Sequence, residues 1–256
     1  PIGNQVRHIL IILSIFLFSF IYISCSKSSD DGSKSTDNTT TSHWTKQLGT
    51  TSSDYGYSVT SDSSGNIYVT GYTSEDLDGN TSSGGQDIFL VKFNSSGTKQ
   101  WTKQLGTSYW DYGNSVTTDS SDNIYVNVVT SGDLDGNTSS GGNDTFLVKY
   151  NSSGTKQWTK QLGTSNNDYG NSVTSDSSDN IYVTGYTDGG LDGNTSSGYN
   201  DIFLVKYNSS GTKQWTKQLG TSYLDEGYGV TTDSLDNIYV TGITYGDLDG
   251  NTNSGN

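Results

Sequence analysis

Positive charge is scarce in this chain of 256 residues: 13 Lys and Arg stand against 27 Asp and Glu, a net charge of −14. Arg7 is the one arginine. Nucleic-acid binding rests on Lys and Arg neutralising phosphates, so that partner class is excluded. Cysteine occurs once, at Cys25, which rules out an intramolecular disulfide framework. Histidine is confined to His8 and His43. A Ser or Cys nucleophile needs a neighbouring base, and no such pair is visible. The expectation is therefore a protein that is not an enzyme. Apolar residues make up 29% of the chain, a level that with this charge ordinarily means disorder. Two features oppose disorder: 12% aromatic content, and apolar residues gathered into short, regularly spaced runs. After residue 25 no stretch sustains a helical period.

What the chain has in abundance is repetition. The segment DIFLVKYNSSGTKQWTKQLG at 201–220 returns at 144–163 and 87–106 almost letter for letter. Trp44, Trp101, Trp158 and Trp215 keep one spacing of 57 residues, as do Gly79, Gly136, Gly193 and Gly250. A fixed period of this size marks a repeat architecture. Within one unit, 56–62 alternates as a first strand, 63–66 is a tight turn and 67–73 a second strand. A longer loop at 74–86 leads to a third strand at 87–93, a turn at 94–97 and a fourth strand at 98–105. Four consecutive apolar residues, Ile88, Phe89, Leu90 and Val91, require burial on both faces of the third strand. Four antiparallel strands covered on both sides by neighbouring units describe an all-β propeller blade. By this period, 44–49 is a lone fourth strand and 227–244 supplies a first and second strand. The sequence thus holds three whole blades and part of a fourth. It reads as a piece of a longer product, less stable than the closed ring.

The pattern Asp62-Ser-Ser-Gly-Asn-Ile-Tyr-Val-Thr-Gly71, then Asp87-Ile-Phe-Leu-Val-Lys92, then Ser96-Gly97 before Trp101, resembles the bacterial SBBP-type β-propeller repeat family. The resemblance covers residues 44–256. It implies an extracytoplasmic propeller, frequently in surface lipoproteins, and no single activity. The second repeat departs from it with Asn127-Val128 for Thr-Gly, so a different bend of that strand is expected. The spacing from Gly97 to Trp101 is also similar to the tryptophan-docking hairpin of quinone-type propellers, whose repeat is shorter.

Residues 1–25 end in a 15-residue apolar run at 9–23, short for a membrane span and suited to a secretory signal. Ile23, Ser24 and Cys25 resemble a bacterial lipoprotein signal, in which Cys25 becomes the lipidated N-terminus; Tyr22 departs from the usual Leu. The alternative is an uncleaved N-terminal anchor. Either reading places the remainder at a membrane, outside the cytoplasm, in a bacterial cell envelope. Residues 26–42 carry no large apolar side chain and form a polar, disordered tether to a repeat domain at 43–256.

In such blades the second-to-third and fourth-to-first loops share one face of the disc. Asp54, Asp111, Asp168 and Asp225 fall there, with the LDGN loops and Asp87, Asp144 and Asp201. The repeat lysines lie on the third and fourth strands, so the loop face should be acidic. Asp76, Asp78, Asn80 and Asp87, and likewise Asp133, Asp135, Asn137 and Asp144, place oxygen donors at a spacing that suits calcium. The alternative is that these Asp and Asn side chains form Asx turns. Tyr109, Trp110 and Tyr223 vary between repeats on this rim, as recognition of a protein or glycan ligand would require, or as drift would produce. Asp62, Asp119, Asp176 and Asp233 should cap turns on the opposite face. Three function classes follow: a binding or scaffold module, a calcium-binding adhesin-like module, and a hydrolase or lyase using loop carboxylates. The last is weakest, because near-identical carboxylates around a ring do not provide separate environments for an acid and a base.

Overall fold

Asp62 shows how one residue sets a turn. Its carboxylate accepts the backbone N–H groups of Ser64 and Asn66 at 3.0 and 2.8 Å, which reverses the chain between the first two strands of the repeat. The same oxygens take the Asn66 amide and, from the next strand, the Tyr68 hydroxyl at 2.9 Å. Asp119, Asp176 and Asp233 repeat the arrangement, so all four act as the expected caps. The computed structural model describes residues 43–254; Cys25 and the tether at 26–42 lie outside the described residues.

Each repeat is a four-stranded antiparallel meander. The first contains β1 (Asp54–Ser61), β2 (Ile67–Thr73), β3 (Asp87–Phe93) and β4 (Lys99–Leu105). The second contains β5 (Asp111–Thr118), β6 (Ile124–Thr130), β7 (Asp144–Tyr150) and β8 (Lys156–Leu162). The third contains β9 (Asp168–Ser175), β10 (Ile181–Thr187), β11 (Asp201–Tyr207) and β12 (Lys213–Leu219). A two-stranded sheet of β13 (Asp225–Thr232) and β14 (Ile238–Thr244) follows. The innermost strands β1, β5, β9 and β13 touch in succession, so the blades stack in chain order.

The third strands carry the core, buried on both faces as their apolar runs demand. Ile88 and Leu90 pack forward onto Val116, Val126 and Phe146 of the next blade. Phe89 and Val91 turn the other way, to Leu77 and Leu48. A fully buried side chain such as Phe146 contributes about 1.5–3 kcal/mol relative to exposure.

Every inner strand has one bulge, which skips Tyr57, Asn114, Asn171 or Tyr228 in the pairing register. A bulge re-aims a side chain. Here it sends the Asn114 amide to the Gly170 carbonyl of the next blade, and Asn171 to Gly227, both at 2.8 Å. Ser58, Ser115 and Ser172 add to this ladder by accepting N–H groups from Val116, Val173 and Val230. Despite Asn127 and Val128, the second blade keeps the register and bulge of its neighbours; the different bend expected there is not found.

The segment 44–49, expected as a fourth strand, is irregular, because no third strand among the described residues lies beside it to pair. Trp44 nevertheless docks like its repeats. Its indole donates to the Ser95 carbonyl at 3.2 Å and lies over Gly97. The first strands begin two residues earlier than expected, since Asp54 and Tyr55 pair with Thr73 and Tyr72.

The caps also set an acid response. Burial pushes the Asp62 and Asp176 carboxyls up, but bonds from Asn66 and Tyr68, and from Asn180 and Tyr182, outweigh it and hold both below their ordinary value. The Asn237 side chain, chiefly, holds Asp233 down to about 2 from 3.8. A carboxyl depressed by folding stabilises above its unfolded value and loses that contribution as pH falls through its folded value. Urea unfolding should therefore show stability dropping from about pH 4 towards pH 2. A flat profile would mean the caps contribute nothing.

Candidate functional site

The β2–β3 and β4–β5 loops meet on one face, where the Asp111 N–H donates to the Gln86 carbonyl at 2.8 Å. Asp168 and Asn143, and Asp225 and Asn200, repeat the contact. Gly84 and Gly141 make the approach possible: a Cβ on either would stand 2.3 Å from backbone atoms of the facing loop.

The acidic residues of this face point largely inward. Asp111, Asp168 and Asp225 are fully buried and Asp54 is half-buried, so they are not the exposed ligand contacts the sequence suggested. Each accepts the N–H and hydroxyl of the threonine four residues earlier, as in Thr107 to Asp111 at 2.7 and 3.1 Å. Thr50, Thr164 and Thr221 serve the other three. Their work is to shape the β4–β5 loop and its equivalents. Burial, then the nearby Asp87 charge, pushes Asp111 up to about 6, and burial likewise raises Asp168 and Asp144.

The LDGN loops do not gather their oxygens around one point. Asp78 is taken by Lys99 and by the Thr102 hydroxyl, and Asp135 by Lys156 and Thr159. Asp76 and Asp133 accept the N–H groups of Ser82 and Ser139 at 2.7 Å. Asn80 and Asn137 donate their amides to the carbonyls of Leu77 and Leu134. Asp87 and Asp144 are buried, holding Ser83 and Ser140. Among the described residues no group of three or more His, Cys, Asp or Glu is placed to hold a metal. Of the two readings of these loops, turn caps or calcium ligands, the side chains form Asx-type turns and Lys–Asp pairs. The same pairs correct the expectation of segregated charge, because Lys99, Lys156 and Lys213 neutralise the loop aspartates.

What the face does expose is aromatic. Tyr109, Trp110 and Tyr223 are 56%, 63% and 57% exposed. Tyr199, at 72%, was not singled out from the sequence. Its signal was there: Tyr199 replaces the glycine found at 85 and 142 in the other repeats. Tyr199, Tyr223, Leu224 and Tyr245 line a groove of about 890 Å³, with Asp247 and Asn253 at its polar edge.

The chain is 27% identical over 241 residues to an uncharacterized WD repeat-containing protein of Acanthamoeba polyphaga mimivirus. That match takes in 72% of this chain and 17% of the relative, so the chain spans about a sixth of the relative's length. A model of the β-propeller repeat SBBP matches residues 43–78, 100–134, 157–192 and 214–249. Each match contains a cap aspartate or a docking tryptophan of the blades described above. The chain belongs to the SBBP β-propeller repeat family.

Proposed function

We propose that this repeat scaffold is a binding module, not an enzyme, that takes glycan or protein ligands on its loop face. The observation that carries the reading is the exposed Tyr109, Trp110, Tyr199 and Tyr223 on a rim of short polar side chains. Tyr and Trp offer a large apolar face with a polar edge, the combination that stacks on sugar rings and anchors interfaces. At the positions of Tyr109 and Trp110 the third repeat carries Asn166 and Asn167, so the fold itself does not require a large side chain there. In the same reading, lipid on Cys25 holds the module at a membrane of the cell envelope, outside the cytoplasm, and residues 26–42 set it clear of the surface.

An oligosaccharide array and a crosslinking screen against cell-surface proteins test the ligand. Trp110→Ala and Tyr223→Ala should each lower retention roughly tenfold, the range of a binding hot spot, with unfolding midpoints unchanged. Retention that survives both substitutions would sink the reading. For the anchor, Cys25→Ser should release the protein from the membrane fraction. A wild-type mass without lipid would contradict that part alone.

A further inference from the structure

The loop face holds five buried carboxylates that its turns do not fully use, and a sixth, Asp111, whose two oxygens both accept from Thr107. Asp87, Asp111, Asp144, Asp168, Asp201 and Asp225 are each fully buried. In five of them Oδ1 is sealed from solvent and has no hydrogen-bond partner: Asp87, Asp144, Asp168, Asp201 and Asp225. The opposite oxygen, Oδ2, is engaged, by Ser83 and Gln104 for Asp87 and by Ser140 and Gln161 for Asp144. These oxygens therefore sit on held side chains. None of the six ion pairs among the described residues reaches any of these carboxylates.

Asp87 and Asp111 pair across one blade junction, and Asp144 with Asp168 and Asp201 with Asp225 are their equivalents in the following repeats. Asp87 opens a third strand, and Asp111 opens the inner strand that follows. Both converge on Gly106: the point where a Cβ would stand lies 2.1 Å from Asp87 Oδ1 and 3.1 Å from Asp111 Oδ2. At Gly163 and Gly220 the same point lies 2.0 Å from Asp144 and Asp201 Oδ1. Glycine at 106, 163 and 220 keeps this space free of a side chain. Two buried like charges with no cation paired to them are costly to desolvate. An oxygen-only donor set suits a hard divalent cation.

We propose that a calcium-class divalent cation bridges neighbouring blades between Asp87 and Asp111, between Asp144 and Asp168, and between Asp201 and Asp225. Beyond the two carboxylates, the threonine hydroxyls at 107, 164 and 221 and water are the oxygens within the chemistry of each junction. The sites are separate from the LDGN loops, whose carboxylates are occupied by Lys99, Lys156 and their neighbours. They are also separate from the exposed aromatic rim, so loss of one reading leaves the other standing.

The test is calorimetry and thermal unfolding of the full chain, in calcium chloride and after chelation. Three calcium ions should bind per chain, and 1 mM calcium should raise the melting temperature by about 3 °C or more. The paired substitution Asp87→Asn with Asp111→Asn preserves shape and should remove one of the three ions. Asp78→Asn with Asp135→Asn should leave all three. Should the first pair fail to fold, Asp144→Asn alone should lower the stoichiometry to two. No heat and no shift at millimolar calcium would overturn the proposal. So would binding lost with the Asp78 pair and kept with the Asp87 pair. A chain made more stable by Asp87→Asn, and indifferent to calcium, would show instead that the carboxylates share a proton.

Discussion

Asp119→Ala should remove about 3–5 kcal/mol from the unfolding free energy, the range for breaking one side of a buried charged network. Asp119 is buried and accepts from Ser121 N, Asn123 N, the Asn123 amide and the Tyr125 hydroxyl, the last at 2.9 Å. Lys149 Nζ lies 3.9 Å from it and 5.0 Å above the Tyr125 ring, while donating to the Ser209 carbonyl of the next blade at 2.9 Å. Truncation would strand a fully buried tyrosine hydroxyl and loosen a lysine that ties two blades. Asp233 makes the matching bonds at a more open position, to Tyr239 at 3.0 Å. Asp233→Ala should therefore cost visibly less. Equal losses at 119 and 233, read from urea denaturation, would mean that burial of the network does not set its worth.

The second large effect is expected at the tryptophans. Trp158 stands with its ring centroid 5.8 Å from Tyr125 and covers Gly211 in the hairpin of the following blade. Gly211 has φ +79°, and a Cβ there would press on the indole at 2.9 and 3.1 Å. Trp158→Ala should cost about 3 kcal/mol, the lower end for core aromatics because the ring is half-buried. Gly211→Ala should cost about 2 kcal/mol, from left-handed backbone and the clash together. In the double variant the clash with the indole has gone and only the flexible Lys160 end remains, so the two losses should fall short of additivity by more than about 0.5 kcal/mol, roughly the threshold for contacting residues. Strict additivity would mean that the two do not touch.

The 57-residue period, the bounds of β2 and β3 and the two-sided burial of β3 were all legible, because each is written in the local order of residue types. The turn caps were legible for the same reason: Asp62 acts within four residues of itself. What the chain order hides is which partner a group finds. Asp111 reads as one more surface carboxylate until the threonine at 107 folds back over it. Asp78 reads as a calcium ligand until Lys99, two strands later in the sequence, arrives beside it. The bulges at Asn114 and Asn171 leave no local trace, since an asparagine in a strand looks the same whether it faces solvent or the next blade. Residues 44–49 keep the WTKQLG of the fourth strand, yet a strand needs a neighbour as well as a pattern. At the loop face the exposed aromatics were visible wherever a repeat differed from its copies, and Tyr199 was missed because only one of three copies changes.

The central claim is that successive repeats stack as blades, each joined to the next by inner-strand side chains. Nuclear Overhauser contacts from the Asn114 and Asn171 side-chain amides, in a sample labelled selectively at asparagine, test it most directly. The stacked arrangement predicts contacts from Asn114 to the α-protons of Gly170 and from Asn171 to those of Gly227, with both amides protected from water exchange. Amides that exchange freely and show contacts only within their own repeat would contradict it.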